Sequence, residues 1–326
     1  DNKMNKINIT RLFVWLTLPV LVFGFVPTAS AITITDTSAE IRDDFVVGPA
    51  KTELFLKRGE KVTKSLSVVN RTDREQIFTV EIEDFTGSRD LKQSVVLLGN
   101  DRSPYSLKDY IKPEQNSFKL KSKQRGVIDV VISIPNDAEP GGHYGSVLVS
   151  SAPSSQEGDE IDNKTRTISR IGALYFVRVE GKVKEDAKLT DFRMENSKAF
   201  YEKGPFNFEL LFENNSSVHL TPNGKVEVKN MIGRKVKELE VSPFFSLPDS
   251  LRASVVSWDS SFAFGRYTAT ATINRGYRES PDVVDVQTVT FWVLPWKIVV
   301  GFGLAIIIVA FILRRLVGSF EIKRKK

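Results

Sequence analysis

The chain has 326 residues, 41% of them hydrophobic and 26% charged, with a formal net charge of +6 and no cysteine. That balance belongs to a folded protein with room for two domains, and the missing cysteines exclude a disulfide framework or a thiolate metal site. The basic excess does not indicate a nucleic-acid binder, because it sits at the two ends (Lys3, Lys6 and Arg11; Arg314, Arg315 and Lys323 to Lys326) and leaves the region between them close to neutral.

Residues 1–31 read as a secretory signal peptide: basic residues, the apolar run Leu12 to Val26, then Ala29-Ser30-Ala31 before the expected cleavage. From 32 to 295 the chain reads as strands. Phe78, Val80 and Ile82 alternate with Thr79, Glu81 and Glu83, the two-residue period of a strand with one wet face. Ile128, Val130, Ile132 and Ile134 repeat the pattern, as do Phe206, Phe208, Leu210 and Phe212, and Tyr267, Ala269, Ala271 and Ile273. Turns separate the strands at "KRGEKV" (57–62), "PNG" (222–224) and "MIGRKV" (231–236). "SPYSLKDYI" (103–111), with a Ser N-cap, predicts about two helical turns.

Many short strands predict an all-β protein of two tandem Ig-like antiparallel sandwiches, over 40–183 and 186–293. The boundary falls in the polar stretch "GKVKEDAKL" (181–189). Residues 150–165 read as a Ser-rich acidic surface loop. Ile298 to Leu313 carries no charge, with Trp292, Trp296 and Lys297 before it and Arg314 and Arg315 after it. It predicts a single transmembrane helix over 296–317, with snorkelling cations and a basic cytoplasmic tail, 318–326.

The candidate sites are weighed against plainer roles. In "EPGGHYGSVLVSSAP" (139–153), His143 lies near Ser146, but a strand follows where a nucleophile elbow or a phosphate loop needs a helix. A base three residues from the serine on an extended segment also points to the other face. The stretch reads as a glycine turn leading into a strand. Glu157, Asp159, Glu160 and Asp162 lack the spacing of a calcium loop, which leaves calcium open but favours a solvated segment. Two distant histidines build no closed metal site, and no cofactor is expected. The N-x-[ST] matches at Asn8, Asn70, Asn163, Asn214 and Asn215 are too short to carry weight. Tyr105, Tyr110, His143 and Tyr144 are the ligand-binding candidates, because loops there could offer ring faces to a sugar. Trp258 is assigned to the core of the second sandwich.

The order of "FVVGPAKTELFLKRGEKVTKSLSVVNRTD" (45–73), "FKLKSKQRGVIDVVISIPNDAEPGGHYGSVLV" (118–149) and "IGALYFVRVEG" (171–181) resembles the peptidoglycan-binding module of the WxL-associated bacterial surface proteins. "NGKVEVKNMIGRKVKELEV" and "FAFGRYTATATI" resemble a diverged form of that family's host-binding module. The resemblance implies a non-catalytic protein, anchored in the bacterial plasma membrane with its N-terminus outside, that binds cell-wall glycan through its first domain. The alternative is a scaffold or adhesion module that pairs with another exported protein by adding a strand at a sheet edge. An unrecognised hydrolase is the third reading, for which no catalytic constellation is visible.

Overall fold

The computed structural model describes residues 32–153, 169–260 and 262–319. The expected signal peptide (1–31), the acidic group Glu157 to Asp162 and the tail from 320 onward lie outside the described residues.

The first half contains β1 (Thr33–Asp36), β2 (Phe45–Gly48), β3 (Lys51–Leu56), β4 (Lys61–Asn70), β5 (Gln76–Gly87) and β6 (Val95–Leu97). It continues with β7 (Ile111–Pro113), β8 (Ser117–Leu120), β9 (Gln124–Ser133), β10 (Gly141–Pro153) and β11 (Ser169–Val179). One sheet runs β1-β9-β4-β2, with β7 also on β9; the other runs β3-β11-β10-β5-β6, with β8 also on β5. The alternating residues read from the sequence enclose one core between these sheets, with Phe78, Val80, Ile128, Val130, Ile132 and Ile134 buried beside Val147, Tyr175 and Val177. All pairings are antiparallel except β3 on β11.

The second half contains β12 (Ala187–Met194), β13 (Phe206–Asn214), β14 (Asn223–Asn230), β15 (Lys235–Val241), β16 (Ser250–Trp258), β17 (Gly265–Asn274) and β18 (Val284–Val293). The sheets β12-β13-β16 and β15-β14-β17-β18 enclose Phe206, Phe208, Leu210, Ala269, Ala271, Ile273 and, as expected, Trp258.

Each half crosses between its sheets directly after a strand that ends in a buried asparagine. Asn70 closes β4: its amide donates to the carbonyls of Arg74 (2.8 Å) and Leu120 (3.0 Å), and its oxygen accepts the N–H of Thr72 (2.9 Å). Asn214 closes β13 in the same way, donating to Val218 (3.0 Å) and Ser246 (2.8 Å) and accepting from Ser216 (2.9 Å). Backbone groups at a buried crossing have no ladder partner, and one amide side chain supplies both donors and an acceptor.

Two expectations are corrected. Residues 103–110 form turns and Ile111 opens β7, so no helix forms there. The buried Asp84 carboxylate takes the N–H groups of Ser103 (3.3 Å), Leu107 (3.2 Å) and Lys108 (3.1 Å), so the backbone is organised around an acceptor from β5. The C-terminal helix α1 (Trp296–Ser319) forms, but no helix among the described residues is long and apolar enough to cross a membrane. Lys297 at one end and Arg314 and Arg315 at the other confine its uncharged stretch to Ile298–Leu313, short of the ~20 residues a ~30 Å hydrocarbon core needs. The expected transmembrane anchor, and with it the plasma-membrane placement and lipid partner, are not retained.

Replacing Asn214 by alanine strands two buried carbonyls and should cost about 3 kcal/mol, from lost bonds and unmet desolvation. Calorimetry should show melting lowered by roughly 10 °C, and Asn70→Ala should behave alike. A change within roughly 2 °C for both would show that the amides do not hold the crossings.

Candidate functional site

The four aromatic candidates gather around residues 103–111, but in packed roles. Tyr144 is 1% exposed and sits on the outer face of the β10-containing sheet with Phe85 and Phe176. Tyr105 packs edge-on to it at 6.2 Å and its hydroxyl donates to Asp249 (3.2 Å). Tyr110 lies 5.3 Å from the ring of His143, whose two nitrogens are each 3.0 Å from a carbonyl, of Ser106 and of Glu139. Burial raises the phenol pKa of all three tyrosines, most for Tyr144. Ser146 is buried with no partner for its hydroxyl. Of the residues expected to flank the membrane, Trp292 is exposed on β18, Lys297 pairs with Glu202 (2.9 Å), and Trp296, Arg314 and Arg315 lie on α1.

Sequence reasoning missed the joint between the halves. The Tyr144 hydroxyl accepts the backbone N–H of His219 (2.6 Å) and lies 3.2 Å from its Nδ1, while Nε2 lies 2.9 Å from Glu53 on β3. Glu53 also pairs with Lys51 (3.1 Å). The His219 hydrogen bond chiefly holds the Glu53 carboxyl down at about 2, with its charge and Lys51 assisting against burial. Gly142 donates to the carbonyl of Ser217 (2.9 Å), and a Cβ on Gly142 would fall 2.0 Å from the Tyr144 hydroxyl, so the close approach requires glycine. The connecting segment is fixed as well: Glu185 pairs with Arg178 (3.1 Å), both almost fully buried, and accepts the N–H groups of Arg278 and Glu279. Beside it lies a cleft of about 640 Å³ where Arg278 covers the half-exposed ring of Phe55 at 4.3 Å. Lys57, Glu60, Glu180 and Glu279 also line it, with no dominant charge sign.

The second half has one laced side and one open side. Where β12 meets β18, Asp285 accepts the N–H of Leu189 (2.8 Å), Gln287 donates to the Leu189 carbonyl (2.6 Å), and Tyr201 exchanges bonds with Trp292 (2.9 Å) and Leu294 (2.8 Å). Among the described residues no such bond joins β15 to β16, and a groove of about 290 Å³ runs between them. Leu239, Glu240, Ser242, Ser254, Val255, Val256 and Ser257 line it. The N–H of Leu251 donates outward to Ser88 of the first half (3.0 Å). Two-residue alternation therefore turns the backbone of Ala253, Val255 and Ser257 outward as well, away from β13. β16 pairs with β13 alone, so these groups have no ladder partner among the described residues. No group of metal-ligating side chains is present among the described residues either.

No family model and no curated protein matches the sequence. Among solved structures the chain is similar to the class 5 fimbriae chaperone CfaA, at 10% identity and a TM-score of 0.38, covering 75% of this chain and 98% of that one. It is similar to a CsuC–CsuE chaperone–tip adhesion subunit pre-assembly complex from Acinetobacter baumannii (11%, TM-score 0.36, 77% and 99%). It is also similar to the E. coli chaperone DraB (13%, TM-score 0.33, 76% and 95%). With no helix among the described residues long and apolar enough to cross a membrane, the expected membrane-anchored, peptidoglycan-binding role is corrected, and glycan binding and adhesion are set aside with it.

The Glu53 carboxyl has a folded-state pKa near 2 against an ordinary 4.5, so its contribution to stability is complete above pH 4.5 and is lost as the pH falls toward 2. Urea unfolding of the wild type and of Glu53→Gln should differ most near neutral pH and converge in acid. A difference independent of pH would remove the carboxylate from the joint.

Proposed function

We propose that this chain is a non-catalytic protein-binding module that takes an extended segment of another exported protein as an added strand between β15 and β16. The observation that carries this reading is the outward edge of Ala253, Val255 and Ser257 beside the groove. Unpaired edges of this kind are templates for pairing, and proteins that do not use them normally cover them or charge them. Here the middle position is Val255, 48% exposed. Main-chain bonds would supply affinity, and alternate side chains entering the groove would supply selectivity. Ser88 on Leu251 already forms one rung of such an edge from within the chain.

The surroundings of His143 and Ser146 support a non-catalytic reading. The histidine nitrogens face backbone carbonyls and the serine hydroxyl faces no base, so the pair that invited a hydrolase reading is not assembled.

A displayed library of random twelve-residue peptides, panned on the full chain, should return sequences with alternating apolar residues. Val255→Pro removes an outward N–H without cutting a bond to β13. It should lower recovery at least about tenfold while shifting melting by no more than roughly 3 °C. Identical selections by both proteins would sink the edge as the binding site.

A further inference from the structure

Arg252 differs from Arg193 and Arg275 of the same half. Arg193 pairs with Glu209 and Asp191, and Arg275 with Asp285. Arg252 has no ion pair among the described residues, and its Nε is buried with no hydrogen-bond partner. Burial alone lowers its pKa. That nitrogen has given up water without gaining an acceptor, which is costly unless one arrives.

Its neighbourhood adds to the imbalance. The guanidinium lies 5.3 Å from the ring of Phe245, and Lys51 lies 5.5 Å from the same ring and 4.6 Å from Phe176. The acid paired with Lys51 is Glu53, which also holds His219. Two cations thus lie near one aromatic ring, and among the described residues the only acid paired with either is already shared.

The place of Arg252 in the strand connects it to the groove. Side chains alternate along β16, so Arg252 shares a face with Ser254 and Val256, both of which line the groove. Same-face positions are about 6.6 Å apart, so Arg252 stands one step beyond the groove, toward the first half. The edge ends there, because the Leu251 N–H is already bonded to Ser88.

We infer that Arg252, with Lys51 behind it, is a carboxylate site at the closed end of the groove, and that it selects segments bearing an acid at that end. This rests on the strand-addition reading, and it adds a chemical requirement to it. The carboxylate would come from an acidic side chain or from a chain terminus. A planar two-oxygen acceptor matches the guanidinium fork.

The test uses the full chain and two displayed twelve-residue libraries, one joined to its carrier through the peptide C-terminus and one through the N-terminus, which leaves the terminal carboxylate free. Asp or Glu should be enriched at one end of the selected peptides in the first library if a side chain is the source. Enrichment in the second library without internal acids would identify a chain terminus. In either case Arg252→Met should remove the acid preference, weakening the best peptide at least tenfold, whereas Arg252→Lys should keep most of it. Peptides with apolar alternation but no acid preference would overturn this inference and leave strand addition intact. If no peptide is selected, titration with acetate decides: a saturating shift of the Arg252 Nε–Hε resonance upholds the carboxylate site while strand addition fails. No shift overturns the site. Melting of both variants within a few degrees of wild type, roughly, ensures that lost binding is not lost folding.

Discussion

Each half of this molecule depends on one buried amide. A strand that leaves one sheet for the other passes through the core rim, where its peptide groups can reach neither a ladder nor water. Asn70 and Asn214 resolve the same difficulty with the same bonds, to the second residue on and the fourth residue on, and to a carbonyl from a distant segment. Without the amide the crossing would have to move outward, and the two sheets could no longer close over the phenylalanines between them.

The second of these crossings also builds the joint. The loop that Asn214 holds contains Ser217, which accepts from Gly142, and His219, which meets Tyr144 and Glu53. Local backbone order in the second half is therefore converted into contact with the first. Charge, aromatic packing and a glycine without a Cβ then fix the approach from the other side. The salt bridge between Arg178 and Glu185, nearly dry, secures the connecting segment, so the two halves meet through a ring of bonds and not through one hinge.

The strands were legible because alternation of Phe, Val and Ile with Thr and Glu leaves no other way to bury one face. The turn expected from the glycines after Glu139 falls earlier, at Asn136 and Asp137, and Gly141 and Gly142 open β10 instead, Gly141 with a φ of 131°. The helix expected at 103–111 was not realised because Asp84, nineteen residues before Ser103, offers an acceptor that no local rule can foresee. His219 and Glu53 are 166 positions apart, so nothing local in the sequence links them. The asparagines did leave a trace. Asn70-Arg71-Thr72 and Asn214-Asn215-Ser216 both match N-x-[ST], and that spacing also suits a side chain that bonds its own backbone two residues on. At the end of an apolar strand the match reports a crossing. The open edge of β16 was not legible, since alternation shows which face is wet but not which neighbour a strand lacks.

The single bond from Leu251 to Ser88 carries a further consequence. In a two-residue repeat, a slip of one position exchanges every buried side chain for an exposed one. An edge open at both ends tolerates such slips. By occupying the first position, Ser88 gives β16 a zero mark from which every later position is counted. One half of the chain thus sets a stop for the other, past which no strand laid along β16 could slide.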